Sequence, residues 1–323
     1  MVTLEHHRLV FRFPEVDPDA VMAVNFQRTL RIPDDNRDYP LPPGLGSFPL
    51  AHVDDYRDRV PETWVEHGGV FLPMYQAEAL WIWFSSLYPF AVKVAAGKIN
   101  AVTGEGWCDE LSEHPQDYLV VPDQPWLDGF CVAKGLIRQF VAMPLGEGYT
   151  AEEQLTGTAE HGGIQLLVHP MKAEAYRARQ RTVWRYPACC YKVCYDMGLA
   201  PGGLMRQKIY EDEYGFASWD RSVRSRCFVH IANSLQYAAI TGQAPPTEPP
   251  TAAEYTAAGL PWFEYYDADR KALAGAPKLA KLESVAAKTV KLGKGSLPGN
   301  EPVSPANVKR LSPHGAVVRE GKM

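Results

Sequence analysis

VMAVNFQRTLRI, Val21 to Ile32, alternates along its whole length. Met22, Val24, Phe26, Leu30 and Ile32 share one face, and Asn25, Gln27, Thr29 and Arg31 share the other. Successive side chains of a strand point to opposite faces, so the stretch reads as a half-buried strand. Arg28 alone breaks the apolar face. Downstream, Phe90 to Gly104, Asp117 to Pro122, Leu127 to Ala133, Gly135 to Leu145 and Gly162 to Pro170 repeat the period of two at short intervals. That recurrence predicts a sandwich- or barrel-like body.

Between these strands the pattern changes three times. Pro33 to Pro49 holds Pro40, Pro42, Pro43 and Pro49 with Gly44 and Gly46, and reads as an extended loop with little freedom. MYQAEALWIWFSSL, Met74 to Leu87, follows Pro73 and stops before Pro89. It is apolar on most faces and predicts a central buried helix. Thr150 and Glu153 have capping-box spacing, with Gly157 placed to end a short helix.

The second half is more helical. Pro187 to Met197 predicts one helix, and Phe228, Ile231, Ala232, Leu235, Ala238 and Ala239 a second, closed by Gly242. Thr251 and Glu254 form another capping box. The aromatic cluster Trp262, Phe263, Tyr265 and Tyr266 follows, then a lysine-rich amphipathic stretch, Pro277 to Leu292, and an extended tail. The expected class is therefore α+β. Residues 1–185 form a β-rich main domain with a buried helix near 74–87, residues 186–270 a helical part packed on it, and residues 271–323 a strap-like extension.

IRQFVAMPLGEGYTAEEQLTGTAEHGGIQLLV (Ile137 to Val168), FQRTLRIPDDNRDYPLPPGLGSFPL (Phe26 to Leu50) and GLPWFEYYD (Gly259 to Asp267) together resemble a family of uncharacterised bacterial proteins. The resemblance covers most of the chain to about Val285. It implies no activity, cofactor or catalytic residue.

The chain of 323 residues is 46% hydrophobic and 22% charged, which excludes a disordered chain, a coiled-coil rod and a collagen-like fibre. Charge is uneven. From Lys271 onward ten basic residues face three acidic ones, so the tail carries +7 and the first 270 residues carry −12 of the net −5. An acidic body argues against nucleic-acid binding. The basic tail suits an acidic neighbour, an anionic surface or RNA. MVTLEHHRLVFRF lacks the basic-then-apolar order of a secretory signal, and the best membrane candidate, Phe71 to Val92, has an uninterrupted apolar-rich part, Ala79 to Val92, too short to span a bilayer. A cytoplasmic, self-associating protein with no transmembrane segment is expected.

Motif chemistry is sparse. GLGSFP (Gly44 to Pro49) has proline where a dinucleotide-binding turn needs its third glycine, and GKGS (Gly293 to Ser296) lacks the spacing of a P-loop. Neither G-x-S-x-G nor H-E-x-x-H occurs. Four groups of residues remain. EHGG occurs twice, at Glu66 to Gly69 and Glu160 to Gly163, each before an apolar strand-like run; it marks either a duplicated unit or two turns that need glycine. Tyr149, His161 and Glu160 are candidate catalytic or ligand residues, because the glycine-flanked loop and turn around them can form one wall of a cleft. Cys190 and Cys194 are four apart on one predicted helix, and Cys227 and His230 three apart at the start of the next, so two facing helices would build a Cys3His zinc site; core packing is the competing reading. Cys131, near Asp128, is a candidate nucleophile or a core thiol. Glu152 and Glu153 read as first-turn acids that favour the helix dipole.

The leading expectation is a binding or assembly protein held together through the C-terminal strap. The alternative is an enzyme acting on a small polar substrate in a cleft near Tyr149 and His161.

Overall fold

A computed structural model of the chain describes residues 1–179, 197–243, 248–265 and 270–311. Two large sheets share one core. The ten-stranded sheet runs Val2–Glu5, Arg8–Arg12, Val21–Thr29, Ala79–Ser86, Leu136–Pro144, Met197–Arg206 and Asp38–Tyr39, with three short strands paired at its margins. The seven-stranded sheet runs Ile99–Asn100, Phe90–Ala96, Ile164–Pro170, Ser225–Ala232, Val70–Pro73 and Ala51–His52, with Leu119–Val121 paired to Phe90–Ala96. Among the described residues neither closes into a barrel. Phe26, Ile82 and Phe140 from the first sheet and Val94, Leu166 and Val229 from the second belong to one buried cluster. Both sheets draw strands from either side of residue 185, so the expected 1–185 and 186–270 parts share their sheets.

The predicted helix over Met74 to Leu87 is instead the strand Ala79–Ser86. Leu80, Ile82 and Phe84 are 0–2% exposed and face the core. Trp81, Trp83 and Ser85 take the other face, in register with Gln27, Asn25 and Ala23 of Val21–Thr29. The period of two is hidden in the sequence because tryptophans, rather than polar residues, occupy the outer positions.

Two further helices are redrawn. The run from Phe228 divides into the strand Ser225–Ala232 and the helix Ser234–Thr241, which Asn233 caps by accepting from the Leu235 N–H. Pro277 to Leu292 divides into Pro277–Ala280 and Val285–Lys291, the second capped by Ser284. Both capping boxes form as predicted, at Thr150/Glu153 and Thr251/Glu254. Most of Pro187 to Met197 lies outside the described residues.

The C-terminal strap lies on its own chain. Trp262, Leu279, Leu282, Val285, Leu297 and Val303 are all buried. Leu41 in the proline-rich loop and Phe263 exchange both backbone hydrogen bonds. Lys278 pairs with Glu105 at 2.5 Å and Lys294 with Glu147, while Lys288 and Lys291 both reach Glu283. The basic tail thus meets acidic groups of the same molecule. Such exposed pairs add orientation more than stability, and the buried apolar side chains supply most of the attachment.

Candidate functional site

The two EHGG turns converge. Val70–Pro73 runs parallel to Ser225–Ala232, and Ile164–Pro170 runs antiparallel to it on the opposite side. Val70 and Ile164, each the first residue after its motif, both lie opposite Val229. Because the two strands run away from that point in opposite directions, the motifs are two turns onto one central strand. The glycines are needed for closeness. A Cβ at Gly69 would sit 2.1 Å from the Phe228 carbonyl oxygen, and one at Gly163 would sit 2.6 Å from that of Val229.

Convergence gathers the rings of Trp64, His67, His161, Phe228 and His230. His67 stacks on Phe228 with centroids 4.5 Å apart, and His230 stacks on Trp64 at 4.6 Å and on Phe228 at 4.3 Å. His161 meets His67 edge to face at 6.2 Å. The Gly68 carbonyl accepts from His230 Nε2 at 3.1 Å, which fixes the tautomer. Burial pushes His230 down to about 3, so the imidazole is neutral near neutral pH. Burial, then the charge of Lys98, then His161 also lower His67.

Glu152 holds the His161 turn. It is 2% exposed, and its carboxylate accepts from the backbone N–H groups of Glu160, His161 and Gly162, each at 2.9 Å. Gln165 adds two bonds, accepting from the Lys98 N–H at 2.6 Å and donating to the Gly162 carbonyl at 2.9 Å. Glu153 serves the preceding turn in the same way, accepting from Gly146 and Gly148. The two glutamates therefore anchor backbone turns, beyond the helix-dipole role expected of them. Glu160 is exposed and stands 3.9 Å from His161 Nε2.

The remaining candidates are placed elsewhere. Tyr149 is 2% exposed, in an apolar cluster with Val141, Val285 and Leu297, and its hydroxyl lies 3.2 Å from Thr289 Oγ1. It anchors the strap, whereas His161 belongs to the rings on the second sheet. Cys227 and His230 lie on a strand, not at a helix start. Three residues apart on a strand means opposite faces: Cys227 enters the shared core and His230 the ring stack. They cannot share an ion. Cys190 and Cys194 lie outside the described residues. Among the described residues no group of three or more histidine, cysteine or acidic side chains is arranged to hold a metal. Cys131 is 1% exposed, and burial pushes its thiol up to about 11, which withholds the thiolate a nucleophile needs.

A cavity of about 680 Å³ lies apart from these residues. Tyr118 and Gln116 line it together with Thr103, Glu105, Glu113–Pro115, Glu211–Asp212 and the strap segment Leu273–Lys278. Its wall is locked. Asp212 accepts from the Tyr118 hydroxyl at 2.7 Å, from the Trp219 indole at 2.8 Å, and from the backbone of Tyr214 and Gly215. Gln116 donates to the Tyr118 and Tyr210 carbonyls and accepts from the Asp212 N–H. No local motif marks this cavity in the sequence, because four separated segments contribute to it. Comparison with protein families, curated proteins and solved structures finds no match.

His230 makes the ring cluster sensitive to acid. Its folded value of about 3 lies below the 6.5 of a free imidazole. Between those values the unfolded chain binds the extra proton, so stability rises with pH across the window and is lost as pH falls. His230→Phe removes this contribution. Its unfolding free energy should fall by about 2 kcal/mol less than that of the unaltered protein between pH 7 and pH 5. Urea titrations at the two pH values measure the difference, and equal losses would show that His230 is not the proton acceptor.

Proposed function

We propose that the chain is a binding protein whose small-molecule ligand occupies the cavity under the start of the strap. The carrying observation is the cavity itself: about 680 Å³ is a usual volume for a small-molecule site. Asp212 and Gln116 are committed to internal hydrogen bonds, which suits a preformed wall better than a reacting centre. Glu113 and Glu211 are exposed along the lining, and Glu105 is offset by Lys278. A neutral or cationic ligand is favoured over an anion.

Self-association through the strap has weaker support, since its apolar anchors are spent within the chain. The enzyme reading centred on Tyr149 and His161 is also weaker, because the two side chains belong to different clusters. Ligand-observed NMR with a panel of small amines, neutral polyols and carboxylates tests the proposal. Members of the first two groups should bind, and Ala274→Trp at the exposed lip should abolish that binding with the melting temperature unchanged. Binding that survives Ala274→Trp, or a panel in which only carboxylates bind, would refute the cavity reading.

A further inference from the structure

The chain already seats one ammonium in the lining of its cavity. Lys278 Nζ lies 2.5 Å from Glu105 Oε2, and the two side chains are 55% and 58% exposed. The backbone beneath the lysine is fixed. The Ala276 N–H donates to the Cys131 carbonyl at 2.9 Å, and Leu279 is fully buried. A Cβ at Gly104 would come within 3.0 Å of Lys278 Cβ and of Leu279 Cγ, so the strap lies directly on that turn. The outer part of the Lys278 side chain can leave Glu105 without any backbone movement.

The rest of the lining is acidic where it is exposed and apolar where it is buried. Glu113 has its exposed neighbour His114 at 4.0 Å, and the Glu211 carboxylate meets no partner among the described residues. Asp212 is spent on Tyr118 and Trp219. Besides His114, no basic side chain other than Lys278 belongs to the described lining. Val102, Tyr118 and Ala276 are 0–6% exposed and offer the cavity their apolar surface. Two exposed carboxylates thus stand without a strong counter-charge beside that surface. A ligand that fits carries an ammonium for the carboxylates and an apolar body for the buried side chains.

We infer that the cavity takes a primary amine with an apolar body, and that Lys278 is its tethered competitor. The inference rests on the cavity reading above and narrows it from neutral or cationic ligands to apolar amines. As the ammonium of the ligand enters, the Lys278 side chain yields Glu105 to it and moves into solvent.

Calorimetric titration of the full chain with 2-phenylethylamine, the neutral 2-phenylethanol and the anionic 3-phenylpropionate tests it. The amine should bind at least about threefold more tightly than the alcohol, and the carboxylate should bind weakest. The double variant Glu113→Gln/Glu211→Gln should weaken amine binding by about fivefold and leave the alcohol unchanged. Lys278→Met keeps an apolar stem on Gly104 and removes the competing charge, so it should tighten amine binding by about threefold. Every charge altered is exposed, and melting curves check that each variant folds. If amine and alcohol bind alike and Ala274→Trp abolishes both, the cavity reading stands and this inference falls. If no probe binds, or if binding survives Ala274→Trp, both fall. An amine preference that persists in the glutamine variant, or that Lys278→Met weakens, also overturns the inference.

Discussion

Arg28→Met is expected to destabilise the fold by about 3–5 kcal/mol, the cost of leaving one member of a buried ion pair alone. Arg28 Nε donates to Glu78 Oε1 at 2.7 Å, and the side chains are 8% and 0% exposed. Glu78 Oε2 also accepts from the Tyr75 N–H at 2.9 Å, so the carboxylate ties the start of its strand to Val21–Thr29. Burial already pushes the Glu78 carboxyl up to about 7, and without the guanidinium it must take up a proton or remain an uncompensated buried charge, either at a cost. The double variant Arg28→Met/Glu78→Leu removes both charges and should regain most of the loss. Equilibrium urea unfolding of the four proteins completes the cycle. A single variant that loses less than about 1 kcal/mol would mean that water reaches the pair.

A loss of similar size is expected from Glu152→Ala. Three backbone N–H groups lose their acceptor together; only that of Gly162 is fully buried, but a hydrogen bond to a charged group is worth about 1.5–3 kcal/mol. The total should reach at least about 3 kcal/mol. Glu152→Gln keeps one oxygen but turns an NH₂ toward a backbone donor, so it should recover only part of the loss. Amide hydrogen exchange at residues 160–162 supplies a local check. Faster exchange confined to that turn fits the anchoring role, and unchanged protection in Glu152→Ala contradicts it.

Both results concern residues whose oddness is visible in the sequence while their meaning is not. Arg28 interrupts an otherwise apolar face, and Glu78 interrupts an apolar stretch. Each looks like an isolated fault until the register sets them together. Strand positions from Phe90 to Pro170 were readable because apolar and polar residues alternate there. In Ala79–Ser86 the outer residues include Trp81 and Trp83, so composition masks the period and the stretch reads as a helix. The capping boxes were readable because every partner lies within three residues. The converging EHGG turns, separated by most of the β-rich half, could be noticed as a repeat but not placed. Neither the role of Glu152 nor the cavity follows from any local pattern, since their partners come from distant loops.

The placement of Ser225–Ala232 between Ile164–Pro170 and Val70–Pro73 bears on how the chain folds as it is made. Val70–Pro73 is synthesised early, and on one side it pairs with Ala51–His52 at once. Its other edge must wait, unpaired, until Ser225–Ala232 has been made. Contacts so distant in sequence are slow to form, and an open strand edge invites pairing with other chains. The second sheet is therefore completed from its middle, by the last of its own strands in chain order. A nascent chain shorter than Ala232 has two half-sheets and a shared core with one wall missing. Commitment to the native state comes late and all at once, and the interval before it is when the protein most needs shielding from its neighbours.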